Sequence, residues 1–170
     1  MDESLQSVDE LMAALYPLAR KLASRQLGAD SGASMQPTDL VGSAYLRLRQ
    51  SDAAAALSQA HFISLLCRVL RQVVVDHWRH RGRQKRAATP IDQTLSALTD
   101  GAPSQTSLVQ LDELIGRLEQ IDRLAAEVVW LRVFGGLTGE EVAEQMQIGT
   151  ATVTRKWRMA SAWLKQELQS

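Results

Sequence analysis

Cysteine is nearly missing from this chain: Cys67 stands alone among 170 residues. No disulfide can close within the chain, and no cysteine metal cluster can form. A lone thiol of this kind is expected to be a small buried apolar group. Aromatic residues are scarce at 5%, and only four prolines appear. Ala, Leu, Arg and Gln fill much of the remainder, a mix that favours helix. Net charge is zero, so charge over the whole chain singles out no polyanionic partner. No apolar run approaches the ~20 residues a membrane span needs. The N-terminus has no basic stretch followed by an apolar one, so no secretory signal is expected and a cytoplasmic location is. His77 and His80 are three apart but have no third ligand nearby, so no metal site is expected. No phosphate loop or nucleophile–base constellation is present, which argues against an enzyme and against a cofactor.

Hydrophobic residues at 45% and charged residues at 22% are ordinary for a globular protein. The charges are unevenly placed. From Ala53 to Arg86 seven Lys/Arg face one acid, Asp76, whereas from Ala87 to Ser170 seven Lys/Arg face eleven acids. Such asymmetry points to a localised basic face.

Two helical blocks flank one irregular stretch. In the first, residues 1–86, Leu11, Leu15, Leu18 and Leu22 recur at helical spacing, with Pro17 placed to kink the helix or start it. Gly28 to Ser34 reads as a loop. Pro37 or Thr38 opens a second helix carrying Leu40, Val41, Ala44, Tyr45 and Leu48. A third starts near Ala60, with Phe62, Leu66, Val69, Leu70, Val73 and Val74 on its buried face. Residues 87–107 contain no Lys, Arg or aromatic residue, two prolines and many Ser, Thr and Gln, and read as a flexible linker. The second block, residues 108–170, opens with an amphipathic helix of Leu111, Leu114, Ile115, Leu118 and Ile121. Ala125, Val128, Val129 and Val133 predict another, ended by Gly135-Gly136. Strand-like alternation is missing from both blocks. The expected fold is all-α: two small helical domains joined by a linker.

Gly136 to Trp157 carries the sharpest motif. Thr138 with Glu141 three residues on is a capping box that opens a helix. Val142, Ala143 and Met146 face inward, and the small Ala143 lets a second helix cross closely. Gln147-Ile148-Gly149 makes the turn, and Gly149 or Thr150 caps the second helix. Val153 and Trp157 point inward, leaving Thr150, Thr154, Arg155 and Arg158 outside. A helix-turn-helix of this kind suits the DNA major groove, where Arg pairs with guanine and Thr touches thymine methyls. Glu140 and Glu144 on the first helix face away from phosphates.

The second signal is the run from Arg68 to Arg86. Its apolar face ends at Val75, and the helix then becomes densely cationic. Some of that charge suits the helix dipole, but seven cations exceed what a helix end requires, which favours phosphate binding. Trp78 among them is placed either to stack on an unpaired base or to cover the edge of the core.

These blocks, in this order, resemble the extracytoplasmic-function (ECF) branch of the sigma-70 family. Thr38 to Leu48 is similar to region 2.1–2.2, which docks on the polymerase clamp. His61 to Arg86, with its Val-Val-Val-Asp-His core, resembles regions 2.3–2.4, which melt and read the −10 element. Leu137 to Leu164 resembles region 4.2, which reads the −35 element. The resemblance implies a specificity subunit without catalytic residues, partnered by promoter DNA and core RNA polymerase through its β′ clamp helices and β flap. It assigns Asp39, Leu40, Tyr45 and Leu46 to polymerase docking. Arg68, Arg71, Gln72, His77, Arg79 and Arg83 fall along the −10 strand. Thr150, Thr152, Thr154, Arg155 and Arg158 face the −35 duplex. The family usually has an acid where Ser43 stands, and Asp39 is the one acid between Thr38 and Ser51, against Arg47 and Arg49. Phosphorylation of Ser43 or Ser51 by a Ser/Thr kinase would add about −1.5 to −2 charges and restore the deficit. An anti-sigma factor is the other regulator the resemblance implies. The competing reading is a dimeric helix-turn-helix regulator that binds duplex DNA alone, which would leave the first block without a purpose.

Overall fold

The computed structural model describes residues 6–27, 35–54, 57–80 and 108–170, and every regular element among them is helical. Gly28–Ser34 and the linker 87–107 lie outside the described residues.

Helix α1 spans Val8–Leu27. Ser7 and Glu10 cap it reciprocally: the Glu10 amide donates to Ser7 Oγ at 3.2 Å, and the Ser7 amide to Glu10 Oε2 at 2.9 Å. Pro17 falls in the helix interior rather than its first turn. The carbonyl it leaves without a donor, four residues back, belongs to Ala13, an exposed residue on the solvent side of the helix. Helix α2 (Pro37–Arg49) begins with proline at its first position, as the missing amide allows. A 3₁₀ turn at Asp52–Ala54 leads to α3 (Gln59–His80). Leu11, Leu15 and Leu22 of α1, Leu40, Ala44 and Leu48 of α2, and all six apolar positions expected of α3 are buried together. Cys67 lies in this core without exposed surface, and burial pushes its thiol up to about 12. Its carbonyl accepts a buried hydrogen bond from Gln26 Nε2 at 2.9 Å, which pins α1 to α3.

In the second block, α4 (Leu108–Ile121) buries Leu111, Leu114, Ile115 and Leu118, whereas Ile121 at its end stays 66% exposed. Helix α5 (Arg123–Val129) starts on Asp122, whose carboxylate accepts from the Ala125 amide at 3.0 Å. It runs into one π turn, Trp130–Phe134, closed by the Gly135 amide on the Trp130 carbonyl at 3.1 Å. Gly136 then adopts a left-handed φ of 63°, and the chain reverses. Helices α6 (Gly139–Met146) and α7 (Thr150–Gln169) follow.

The sequence is silent on how the blocks sit relative to each other; the structure packs them together. Leu111, Leu114, Ile115, Leu118, Val129, Trp130, Val133, Phe134, Ala160 and Leu164 form a core belonging to the second block. Val128, Leu131, Leu137, Val142, Ala143, Met146 and Val153 instead join the core of α1, α2 and α3. Trp157 packs against both clusters. Burying a side chain such as Leu131 contributes about 1.5–3 kcal/mol, so this shared layer favours the packed arrangement.

Candidate nucleic-acid and polymerase interfaces

The helix-turn-helix forms as its capping chemistry dictates. Thr138 Oγ1 accepts from the Glu141 amide at 3.1 Å, and the Thr138 amide donates to Glu141 Oε2 at 2.8 Å. Those bonds, with Lys21 Nζ 2.9 Å away, hold the Glu141 carboxyl below its ordinary range. Val142, Ala143 and Met146 are buried, and Glu140 and Glu144 face outward. The turn closes through Gln147, whose φ of 55° is left-handed. Gly149, not Thr150, caps α7.

Helix α7 buries Val153, Ala160 and Leu164 and leaves Thr150, Thr154, Arg155 and Arg158 exposed, as the spacing predicted; Thr152 is half-buried. Neither Arg155 nor Arg158 has an ion-pair partner among the described residues. The Thr154 hydroxyl donates to the Thr150 carbonyl at 2.9 Å, which orders the threonine on the helix surface. Two contacts absent from the sequence reading fix the helix. Lys156 Nζ pairs with Asp122, the residue that caps α5. The Arg132 guanidinium stacks 4.7 Å from the Trp157 ring centroid. A short polar side chain before Arg123 is the one signal that marks Asp122 as a cap.

On α3, Gln72 is exposed and His77 half-buried. Arg68 and Arg71 are both turned towards the second block. Arg68 Nη2 reaches Glu119 Oε2 at 2.7 Å, with its guanidinium 5.4 Å from the Trp130 ring centroid. Arg71 is only 4% exposed; it lies 5.0 Å from the Phe134 ring centroid and 3.7 Å from Asp112 Oδ1. Burial pulls the Arg71 guanidinium below its ordinary range and pushes the Asp112 carboxyl up. Beside them, His61 Nδ1 meets the buried Glu127 Oε1 at 2.7 Å. The side chain of Arg79, and Arg83 altogether, lie outside the described residues.

On α2, Asp39 accepts from the Gln36 amide at 3.3 Å and so caps the helix it sits on. Leu40 is fully buried and supports the surface from beneath, because residues 40, 41, 44 and 48 form the core stripe. Leu46 is 59% exposed. Tyr45 donates its hydroxyl to Asp9 Oδ1 at 2.7 Å. Ser43 and Ser51 are half-buried. Charge on this surface is more balanced than α2 alone implies. Arg47 pairs with Asp76 at 2.8 Å and Arg49 with Asp9 at 3.5 Å, so neighbouring helices lend it two acids.

Among the described residues no cluster of His, Cys, Asp and Glu is arranged to hold a metal, and no helix is long and apolar enough to cross a membrane. A family model described as ECF sigma factor matches residues 4–170. No curated protein and no solved structure matches the chain.

Proposed function

The chain belongs to the ECF sigma factors, and we propose that its three candidate surfaces divide the family's work as follows. Members of this family are non-enzymatic initiation factors that bind core RNA polymerase and confer promoter-specific transcription. Here α7 enters the −35 major groove, α3 takes the −10 strand, and α2 docks on the polymerase clamp. The observation that carries this reading is the outer face of α7. Thr150, Thr154, Arg155 and Arg158 stand exposed on the second helix of a helix-turn-helix, and the two arginines have no acidic partner there. Arg offers bidentate donors to guanine, and Thr a methyl to thymine. Trp157 and Lys156, anchored on Arg132 and Asp122, hold that face in one orientation.

Docking rests on Leu46, an exposed apolar side chain on α2, with Asp39 two turns back at the helix start. Phosphorylation of Ser43 or Ser51 raises the negative charge of this surface and strengthens docking. Its support is the near-neutral balance of Asp9, Asp39 and Asp76 against Arg47 and Arg49. Anti-sigma control would act by covering the same surfaces.

Run-off transcription with core polymerase tests the reading. Wild-type protein is expected to support initiation and to bind promoter duplex poorly without the polymerase. Tight specific duplex binding by the chain alone would overturn it. Ser43→Glu and Ser51→Glu proteins separate the phosphorylation step: it falls if neither variant, nor kinase treatment, improves holoenzyme assembly.

A further inference from the structure

Between Ala53 and Arg86 the chain carries seven Lys/Arg and a single acid, Asp76. That acid stands within the surface assigned to the −10 strand. Gln72 precedes it by four residues, which puts both on one stripe of α3, and His77 follows it directly. A bare carboxylate at this place would meet a phosphodiester chain as a like charge. Asp76 is not bare. Arg47 reaches across from α2, its Nη2 2.8 Å from Asp76 Oδ2. The two side chains are 42% and 43% exposed, and a pair so open to solvent contributes little to stability.

We propose that Arg47, although it belongs to the docking helix, serves the −10 surface: it masks the charge of Asp76 and so keeps this stripe of α3 attractive to unpaired DNA. Arg47 acts through Asp76 rather than by touching DNA, and is in that sense a positioning residue. The inference rests on the reading that α3 takes the −10 strand.

The two cations of α2 serve different neighbours. Residues 47 and 49 lie about 200° apart around a helix. Arg49 accordingly turns to α1, where it meets Asp9 at 3.5 Å and stacks 5.7 Å from the Tyr45 ring centroid. Arg47 turns to α3. Its removal should therefore act with opposite sign on the two surfaces. The docking face would lose a cation and become more acidic. The −10 face would regain the charge of Asp76. One unit charge about 6 Å from a phosphate in water changes affinity about threefold, and salt screens the effect. A contact of Arg47 with the polymerase predicts the reverse: weaker docking, and no dependence on Asp76.

The test is a double-mutant cycle on holoenzyme preassembled with saturating core polymerase. Its readout is the anisotropy of a fluorescein-labelled single-stranded oligonucleotide of mixed sequence, with core alone as the reference. Arg47→Met should weaken binding about threefold at low salt and less at high salt. Arg47→Lys keeps the charge and should stay near wild type. Asp76→Asn should bind at least as tightly as wild type, and Arg47→Met/Asp76→Asn should match it. Arg49→Met removes the same charge from the same helix and should lose less than Arg47→Met. In a separate titration Arg47→Met should assemble with core at least as tightly as wild type. A loss in Arg47→Met that Asp76→Asn does not relieve overturns the inference, as does an Arg47→Met affinity equal to wild type. Weaker binding by Asp76→Asn alone also overturns it, because the carboxylate would then be reading a base itself. Run-off transcription keeps the two readings apart. If it succeeds while the cycle shows no coupling, only this inference falls. If the cycle couples while run-off fails, masking on a strand-binding face stands and promoter reading falls.

Discussion

Removing the Asp112 carboxylate should destabilise the folded chain by about 2–3 kcal/mol. The magnitude follows from the pair it forms. At the observed 3.7 Å separation from Arg71, two unit charges attract by about 4 kcal/mol at an effective dielectric of ~20. Desolvating the two groups costs several kcal/mol each, so the intact pair contributes little net stability. Asp112→Ala upsets that balance because Arg71 remains, 4% exposed and without its counter-charge. The loss should fall below the ~3–5 kcal/mol usual for a broken buried pair, since Arg71 keeps the Phe134 ring and Asp112 is itself partly open to solvent. Arg71→Met/Asp112→Leu removes both charges and retains the packing volume. It should unfold within about 1 kcal/mol of wild type, or above it. Urea unfolding followed by far-UV circular dichroism and tryptophan fluorescence measures each variant. A loss under about 0.5 kcal/mol for Asp112→Ala, the range of an ordinary surface substitution, refutes the reasoning. So does a double variant no better than Asp112→Ala.

Three further outcomes are expected. Glu141 titrates below its ordinary 4.5, first because the Thr138 amide bonds it and then because of Lys21. Its contribution is thus complete above that value and lost as pH falls through the depressed one; Glu141→Gln should flatten that part of the acid limb of a Tm–pH curve. Arg155→Ala should leave the circular dichroism spectrum unchanged, because the side chain is exposed, and weaken holoenzyme binding to a −35-containing duplex by about 1–3 kcal/mol, read by gel shift. Gly136→Ala forces a side chain onto a φ of 63° beside Arg25; a cost of about 1–2 kcal/mol should appear as a Tm lower by roughly 3–6 °C in a thermal melt.

The helices were legible because burial leaves a periodic trace. Phe62, Leu66 and Leu70 repeat every four residues along α3, and Thr138 with Glu141 announces α6 in four letters. The outer face of α7 could be read for the same reason: Val153 fixes the phase, and Thr150, Thr154, Arg155 and Arg158 follow from it. The contacts of Arg68 and Arg71 could not be read. Their partners, Glu119 and Asp112, lie across the linker on another helix and look in sequence like solvated charges on an amphipathic face. Val128 and Val142 scan as core residues of the second block, yet no local pattern says that they pack against the first. The balanced charge of α2 escaped for a related reason, since Asp9 and Asp76 reach it from neighbouring helices. The π turn leaves no periodic trace either, because one extra residue in a hydrogen-bonded ring is within the tolerance of any helical pattern.

The apolar layer shared by the two blocks has a consequence for how tightly the chain engages polymerase. If only a separated form can bind, the measured dissociation constant is the intrinsic one divided by the fraction of chains already separated. Part of the binding energy is then spent on prising the layer open. A smaller side chain at the buried Leu131 would enlarge that fraction and sharpen apparent affinity while lowering thermal stability. Promoter output would thus be tuned by an interior residue that touches neither polymerase nor DNA.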